Sequence, residues 1–175
     1  MSSDVRSRSA RVLNAEREAY QLKWDHRFLR LAREVAMWSK DPSTKVGAVL
    51  VDSERGIISV GYNGFARGAD DSPERYADRD NKIASVIHGE ENALGFAEKW
   101  RLIGATCYTY PWQPCARCAS KLIQSKVIRV VSLLADDAVK SRWGASLAIA
   151  ESDFQRTGVE LRLYDPGVIN CGSQT

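Results

Sequence analysis

The sequence has few of the residues that bind soft metal ions, since its 175 residues include only two histidines and four cysteines. These are His26, His88, Cys107, Cys115, Cys118 and Cys171. So few cysteines do not suit the disulfide framework of a small secreted protein, and a chain of this length can bury a sizeable apolar core without one. Any site for a soft metal ion in this protein must therefore be drawn from a very short set of side chains.

Long apolar runs and blocks of one charge are also missing. No stretch approaches the roughly 20 apolar residues that span a bilayer, and the N-terminal residues lack the apolar core of a signal peptide. The 25 basic and 22 acidic residues are scattered and leave a net charge of +3, which does not favour binding to polymeric nucleic acid. We expect a cytoplasmic protein with no membrane partner, whose thiols stay reduced.

What the sequence does contain is a group of three soft ligands beside one spare carboxylate. His88 and Glu90 are separated by Gly89, and Cys115 and Cys118 follow Pro114 further along the chain. A structural zinc site usually closes with four Cys or His ligands, whereas a catalytic site keeps one position open. Because only three ligands cluster, we expect His88, Cys115 and Cys118 to hold one catalytic Zn²⁺ per chain.

The carboxylate of Glu90 is not needed as a ligand and is therefore free for proton transfer. Zinc lowers the pKa of a bound water from about 15.7 toward 7, so that a hydroxide nucleophile forms at neutral pH. Glu90 would take a proton from this water, pass it to a ring nitrogen and later protonate the leaving amine. The pattern H-x-E followed by P-C-x-x-C is typical of zinc-dependent nucleobase deaminases, which indicates hydrolytic deamination.

Hydrophobic periodicity and turn residues predict helices and strands in the order αββαβαβαβ. The predicted helices cover residues 24–40, 88–99, 115–126 and 138–157, and the predicted strands cover residues 46–51, 57–62, 105–110, 127–134 and 159–164. This alternation indicates an α/β protein with a mixed five-stranded sheet inside three α/β/α layers. We expect a flexible arm over residues 1–23, one domain over 24–164, a tail over 165–175, and a functional loop over 63–81.

Two further stretches resemble the corresponding parts of deoxycytidylate deaminases. They are DPSTKVGAVLV from Asp41 to Val51 and GYNGFARG from Gly61 to Gly68, with Ala66 where the family usually has Pro. The resemblance implies a cytidine-deaminase-like fold and the conversion of dCMP to dUMP. It also implies a homo-oligomer, often a hexamer, and control by dCTP and dTTP as nucleotide effectors, with Mg²⁺ accompanying the effector.

The same resemblance implies a set of substrate contacts. Asn63 matches the family residue that hydrogen-bonds the sugar, and Thr44 and Lys45 match the loop that lines the nucleotide pocket. Apart from the resemblance, Arg67 on the glycine-rich loop is expected near the site, where it would either reach the phosphate or stay a solvated loop charge. Gly89 stands between the zinc ligand and the carboxylate, at a position where the family usually has Ala.

Other functions fit the zinc spacing as well. The substrate could be another cytosine nucleotide, such as a modified dCMP or dCTP, or a polynucleotide such as tRNA. A zinc-scaffolded binding protein without catalysis is a third possibility, although Glu90 would have no use in it. Turnover of different cytosine substrates separates these hypotheses.

Overall fold

A computed structural model describes residues 2–170, with only the backbone of residues 2–10. The helices are α1 (Ser2–Ala36), α2 (Pro73–Ala77), α3 (Arg79–Ser85), α4 (Gly89–Gly95), α5 (Ala116–Gln124) and α6 (Asp137–Thr157). The strands are β1 (Gly47–Val51), β2 (Ile57–Tyr62), β3 (Thr106–Tyr110), β4 (Arg129–Leu133) and β5 (Glu160–Tyr164). Short 3₁₀ helices cover Lys99–Leu102 and Pro166–Ile169, and the end of the predicted tail, including Cys171, lies outside the described residues.

The five strands form one mixed sheet in the order β2-β1-β3-β4-β5, as the sequence predicted. Strand β1 pairs antiparallel with both β2 and β3, while β3, β4 and β5 run parallel. Parallel neighbours need a crossover connection, and here α5 and α6 provide it. The carboxyl end of β3 therefore leads directly into the turn that carries Cys115.

Each face of the sheet is covered by helices, which confirms the predicted three-layer architecture. One face packs against α1 through Phe28, Leu29, Ala32, Val35, Val49, Val51, Tyr108, Val131 and Leu133. The other face packs against α4, α5 and α6 through Ala48, Leu50, Ala93, Cys107, Ala119, Leu122, Val130, Ala150 and Phe154. Within the described part of the chain, no helix is both long and apolar enough to cross a membrane.

Two parts of the predicted organisation differ from the structure. Helix α1 begins at Ser2 and not at residue 24, so the segment that we expected to be a flexible arm is helical. The division of the chain into an arm, a domain and a tail stays a prediction. The expected loop over 63–81 contains α2 and leads into α3. Both helices are short, and each begins with a side-chain N-cap. Ser72 caps α2 by accepting from the amide of Arg75, and Asp78 caps α3 by accepting from the amide of Asn81.

Gly61 lets strand β2 approach helix α4 very closely. A Cβ atom at this position would lie 2.3 Å from the amide nitrogen of Ala93 and 2.3 Å from the carbonyl oxygen of Gly89. Only glycine leaves room for this approach. The start of α4, where His88 is the N-cap residue, is thereby held against the edge of the sheet.

Candidate metal centre and active site

Three metal-binding side chains meet where helices α4 and α5 begin. His88 is the N-cap of α4, Cys115 is the N-cap of α5, and Cys118 lies one turn further along the same helix. The Nδ1 atom of His88 lies 3.5 Å from Sγ of Cys115 and 3.3 Å from Sγ of Cys118. All three ligand atoms lie within 4.8 Å of one another, so one ion can reach them all.

The protonation of this cluster is strongly coupled. The hydrogen bond from Cys118 outweighs the effect of burial and lowers the pKa of Cys115 to about 4, while the same contact and burial raise the pKa of Cys118. The contact with Cys115 also raises the pKa of His88, against the effect of burial. Metal ligands bind deprotonated, so a divalent cation would replace the protons that these groups share. Two thiolates and one imidazole fit zinc and leave one coordination position for water.

Glu90 is buried beside this cluster. Glu90 is only 4% exposed, and its Oε2 atom has no hydrogen-bond partner among the residues that the structure describes. Burial raises the pKa of Glu90, and the nearby His88 opposes part of that rise. A buried carboxylate oxygen without a partner is costly to the fold, which indicates that a bound molecule uses it.

The neighbouring carboxylate, Glu91, has a different task, because it joins the two helices that carry the ligands. Its Oε2 atom accepts from the backbone amide of His88 at 2.9 Å and from Arg117 at 3.0 Å. Its Oε1 atom accepts from Lys121 at 2.5 Å. Both cations belong to α5, so Glu91 fixes the start of α4 against α5 and sets the distance between His88 and the cysteines.

A cavity opens over the cluster and contains the side chains needed to surround a small ring. Its lining consists of Asp41, Thr44, Val46, Asn63, Lys82, Ile83, Val86, His88, Glu90, Pro111, Trp112, Gln113, Cys115 and Trp143. Helix α6 supports this wall, since Gln113 donates to Glu151 at 2.8 Å and Ser146 accepts from the amide of Ala116 at 3.1 Å. The metal-binding atoms, the buried carboxylate and the aromatic rings therefore share one space.

Of the expected substrate contacts, Thr44 and Asn63 line the cavity. Asn63 is buried, and its amide group donates to the carbonyl of Thr44 at 2.9 Å and to Asp41 at 3.3 Å. Its Oδ1 atom accepts from the amide of Val46 at 2.7 Å. Both amide hydrogens are thus used to shape the loop between α1 and β1, which leaves one lone pair of Oδ1 for a ligand.

The other three expected contacts are placed differently. Lys45 donates to the carbonyl of Ser39 at 2.5 Å and is not among the lining residues. Arg67 lies over the ring of Phe96, 4.8 Å from its centroid, and borders a separate cavity. Gly89 is buried in the first turn of α4 and is not among the lining residues; a Cβ atom there would lie 3.2 Å from the carbonyl oxygens of Gly61 and Val46.

Sequence reasoning missed Lys82 and Trp143 as lining residues. Lys82 belongs to α3, which follows a stretch without sustained periodicity, although Ile83 and Val86 after it carry a weak helical signal. Trp143 lies in the middle of α6, far along the chain from the metal-binding residues. Only the packing of α6 against the Cys115 turn brings Trp143 to the cavity, and no local sequence pattern predicts such a contact.

Comparisons with known proteins agree with this geometry. Residues 22–134 match the family model of the cytidine and deoxycytidylate deaminase zinc-binding region. An uncharacterized deaminase in the luxG 3′ region of Aliivibrio fischeri is 39% identical over 139 residues, which are 79% of this chain and 92% of that protein. Human deoxycytidylate deaminase is 35% identical over 150 residues, or 83% of this chain and 82% of the human protein.

A solved structure shares the fold. The dCMP deaminase of cyanophage S-TIM5, in complex with dCMP and dUMP, superposes with a TM-score of 0.65 at 22% identity, covering 81% of this chain and 97% of the phage protein. The family model spans the loop after α1, the start of α4 and the cysteine turn, which are three of the segments that line the cavity. The chain therefore belongs to the cytidine and deoxycytidylate deaminase family.

Proposed function

We propose that this protein hydrolyses dCMP to dUMP and releases ammonia. The observation that carries the proposal is the buried, unpartnered oxygen of Glu90 in the same cavity as three metal-binding side chains. The identity to relatives named deoxycytidylate deaminase supports this choice of substrate, because the aligned region includes the cavity-lining segments. A purely structural metal site would not need a buried carboxylate beside it.

His88, Cys115 and Cys118 would hold the zinc ion through Nδ1 and the two sulfur atoms. When bound, the ion supplies the Lewis acidity that activates a water molecule at neutral pH. The two ligand-bearing helices direct their N-terminal amides toward the site, which favours the thiolate form of the cysteines. Glu91 keeps the helices at the required separation through its contacts with Arg117 and Lys121.

Glu90 moves the protons in this mechanism. Its free carboxylate oxygen takes a proton from the attacking water while the water oxygen adds to C4 of the cytosine ring. Glu90 then delivers that proton to N3 of the ring. Glu90 then passes the second proton of the water to the amino group, so that ammonia leaves and the C4 carbonyl of uracil forms. One water is consumed and one ammonia is released for each dUMP.

The remaining walls would position the nucleotide. Trp112 and Trp143 offer ring faces on which a pyrimidine can stack. The free lone pair of Asn63 can accept from a sugar hydroxyl, with Thr44 beside it. These contacts would place C4 of the base near Glu90.

Regulation, assembly and location are part of the same proposal. Arg67 and the glycine-rich loop border a second cavity, and we propose that dCTP or dTTP binds there with Mg²⁺ as an effector. A homo-oligomer and a cytoplasmic location follow from the family resemblance and from the need for reduced cysteines. Size-exclusion chromatography with and without dCTP and dTTP would test the proposed regulation and the proposed assembly.

The function is tested by measuring turnover of dCMP, dCTP, deoxycytidine, 5-methyl-dCMP and a cytosine-containing oligonucleotide by the zinc-loaded protein. We expect dCMP to have the highest kcat/KM. Uracil formation only in the oligonucleotide would instead establish a polynucleotide deaminase. Failure of the zinc-loaded protein to deaminate any of these substrates would support the zinc-scaffolded binding protein.

A further inference from the structure

A single cationic side chain of the lysine or arginine type lines the cavity over the metal cluster, as far as the structure describes the chain. This residue is Lys82, on helix α3. Its neighbours in the wall include Ile83, Val86 and Trp143, which are apolar or aromatic. The same wall also contains polar side chains, including that of Asp41, so Lys82 is a charged group in a lining of mixed polarity.

Contacts from the loop between α1 and β1 hold Lys82 in place. Its Nζ atom donates to Oδ1 of Asp41 at 3.0 Å and also to the hydroxyl of Ser43. The side chain of Lys82 is only 16% exposed and that of Asp41 only 4%. An ammonium group has three hydrogens, and these two contacts leave one of them for a ligand in the cavity.

The negative charge of Asp41 does not depend on Lys82 alone. Burial by itself would raise the pKa of Asp41, but the amides of Ser43 and Thr44, the Ser43 hydroxyl and Lys82 together lower it. Several donors thus share this carboxylate. Lys82 is fixed by Asp41 without being fully neutralised by it, so an anion in the cavity can still form a charge-assisted hydrogen bond.

The other basic residues near the site have partners elsewhere. Lys45 bonds the carbonyl of Ser39, and Arg67 stacks on Phe96 beside a different cavity. Arg117 and Lys121 are both paired with Glu91. None of these four borders the cavity, so among the described residues an anionic group inside it finds a lysine or arginine only at Lys82.

We propose that Lys82 binds the 5′-phosphate of the substrate and makes the enzyme selective for a nucleoside monophosphate over the free nucleoside. This inference rests on the proposed deamination of dCMP. Asp41 and Ser43 act as positioning residues, since they orient the ammonium group of Lys82 while Lys82 itself binds the phosphate. The specificity residue therefore comes from α3, within the segment that joins the glycine-rich loop to the metal motif.

The test compares kcat and KM for dCMP and for deoxycytidine in wild-type protein, Lys82→Gln and Lys82→Arg. Loss of one charge-assisted hydrogen bond is expected to lower kcat/KM for dCMP by about 10- to 100-fold in Lys82→Gln, mainly through KM. The value for deoxycytidine should change by less than about twofold, because no phosphate is present to lose the contact. Lys82→Arg should recover most of the dCMP activity.

Lys40→Gln is the matched control, because Lys40 pairs with Asp71 on the surface and its side chain is 67% exposed. This variant should keep the wild-type ratio of the two kcat/KM values. Calorimetric binding of dUMP and deoxyuridine to zinc-loaded protein gives a second measurement that needs no turnover. Lys82→Gln should weaken binding of dUMP and leave that of deoxyuridine almost unchanged.

Different results overturn the two proposals. An equal loss for dCMP and deoxycytidine, or for dUMP and deoxyuridine, would show that Lys82 only supports the loop and would refute the phosphate contact. Unchanged kinetics and binding in Lys82→Gln would refute it as well. Absence of dCMP turnover by the wild-type protein, while another substrate is deaminated, would refute the proposed function itself before any variant is compared.

Discussion

Glu90 and Glu91 are adjacent in the chain, yet their surroundings give the two carboxylates opposite properties. Burial without a partner for Oε2 raises the pKa of Glu90. Burial would also raise the pKa of Glu91, but Lys121, the amide of His88 and Arg117 outweigh it and lower that pKa. The direction in which each side chain leaves α4 therefore decides which glutamate can exchange protons and which one serves as an anchor.

Replacing Glu90 with Gln removes the group that carries protons while keeping the size of the side chain. We expect kcat to fall by at least about 100-fold, since general acid–base catalysis contributes about that much or more. Zinc content, measured by mass spectrometry of the purified protein, should stay at one ion per chain. Glu54→Gln, at an exposed turn, is the control and should keep full activity. Full activity in Glu90→Gln would disprove its role.

Replacing Glu91 with Gln tests the anchor. The variant loses the ion pairs with Arg117 and Lys121, so the spacing between His88 and the two cysteines is less well fixed. We expect zinc affinity to fall by about 10-fold, which is the lower end of the effect of residues that orient metal ligands. Competition with a chromophoric chelator measures this, with Asp137→Asn on α6 as a control far from the ligands in sequence. Equal affinity in the two variants would argue against the anchor.

At the scale of elements, the site depends on how closely a strand and a helix can approach. Strand β2 passes α4 at Gly61, and this contact holds the N-cap position of His88 relative to the sheet. Helix α3 then forms part of the cavity wall and supplies Lys82. The short helices were missed in the sequence because five and seven residues are too few to show a period, although their Ser72 and Asp78 caps are of the usual type.

Replacing Gly61 with Ala should push β2 away from α4, because the new Cβ atom would lie 2.3 Å from two backbone atoms. Overpacking of this kind destabilises a protein by about 1–3 kcal/mol, and rigid backbone on both sides favours the upper end. Urea unfolding at neutral pH measures the change. Gly95→Ala in α4 is the matched control, since a Cβ there meets nothing within 4 Å and should not destabilise the protein. Equal stability of the two variants would contradict the close approach.

At the scale of the whole molecule, a buried carboxylate joins distant parts of the chain. Asp25 of α1 is fully buried and accepts two hydrogen bonds from Arg129, at 2.8 and 2.7 Å. Tyr108 and Tyr164 also donate to it, at 2.9 and 2.7 Å. Helix α1 is thereby tied to β3, β4 and β5 on the face of the sheet opposite to the metal cluster, in addition to its apolar packing.

This network predicts a dependence of stability on pH. Burial alone would raise the pKa of Asp25, but hydrogen bonds from Arg129, Tyr164 and Gln21 outweigh it and hold that pKa below its ordinary value of 3.8. A carboxyl group whose folded pKa is lowered stabilises the fold above its unfolded pKa and loses that contribution as pH falls through the folded pKa. The network should therefore be intact at pH 7 and weaken below about pH 4.

Asp25→Asn should lower the free energy of unfolding at pH 7 by about 3–5 kcal/mol, because it leaves the buried Arg129 without its counter-charge. The difference from wild type should shrink as the pH is lowered below about 4, because Asp25 first becomes protonated in the unfolded protein and only at lower pH in the folded protein. Urea unfolding from pH 7 to pH 3 checks this, with Glu16→Gln on the exposed part of α1 as the control. A difference that does not depend on pH would rule out the charged network.

The sequence by itself determined the strands, their order along the chain and the metal-binding set, because these depend on short-range periodicity and on residue types at fixed spacing. His88, Cys115 and Cys118 could be chosen because the chain contains so few alternatives. Only the tertiary structure brought Lys82 and Trp143 to the cavity and placed Arg67 beside another one. A cavity wall is assembled by elements that pack from distant parts of the chain, and that packing follows from how whole faces fit, which no local pattern of residues records.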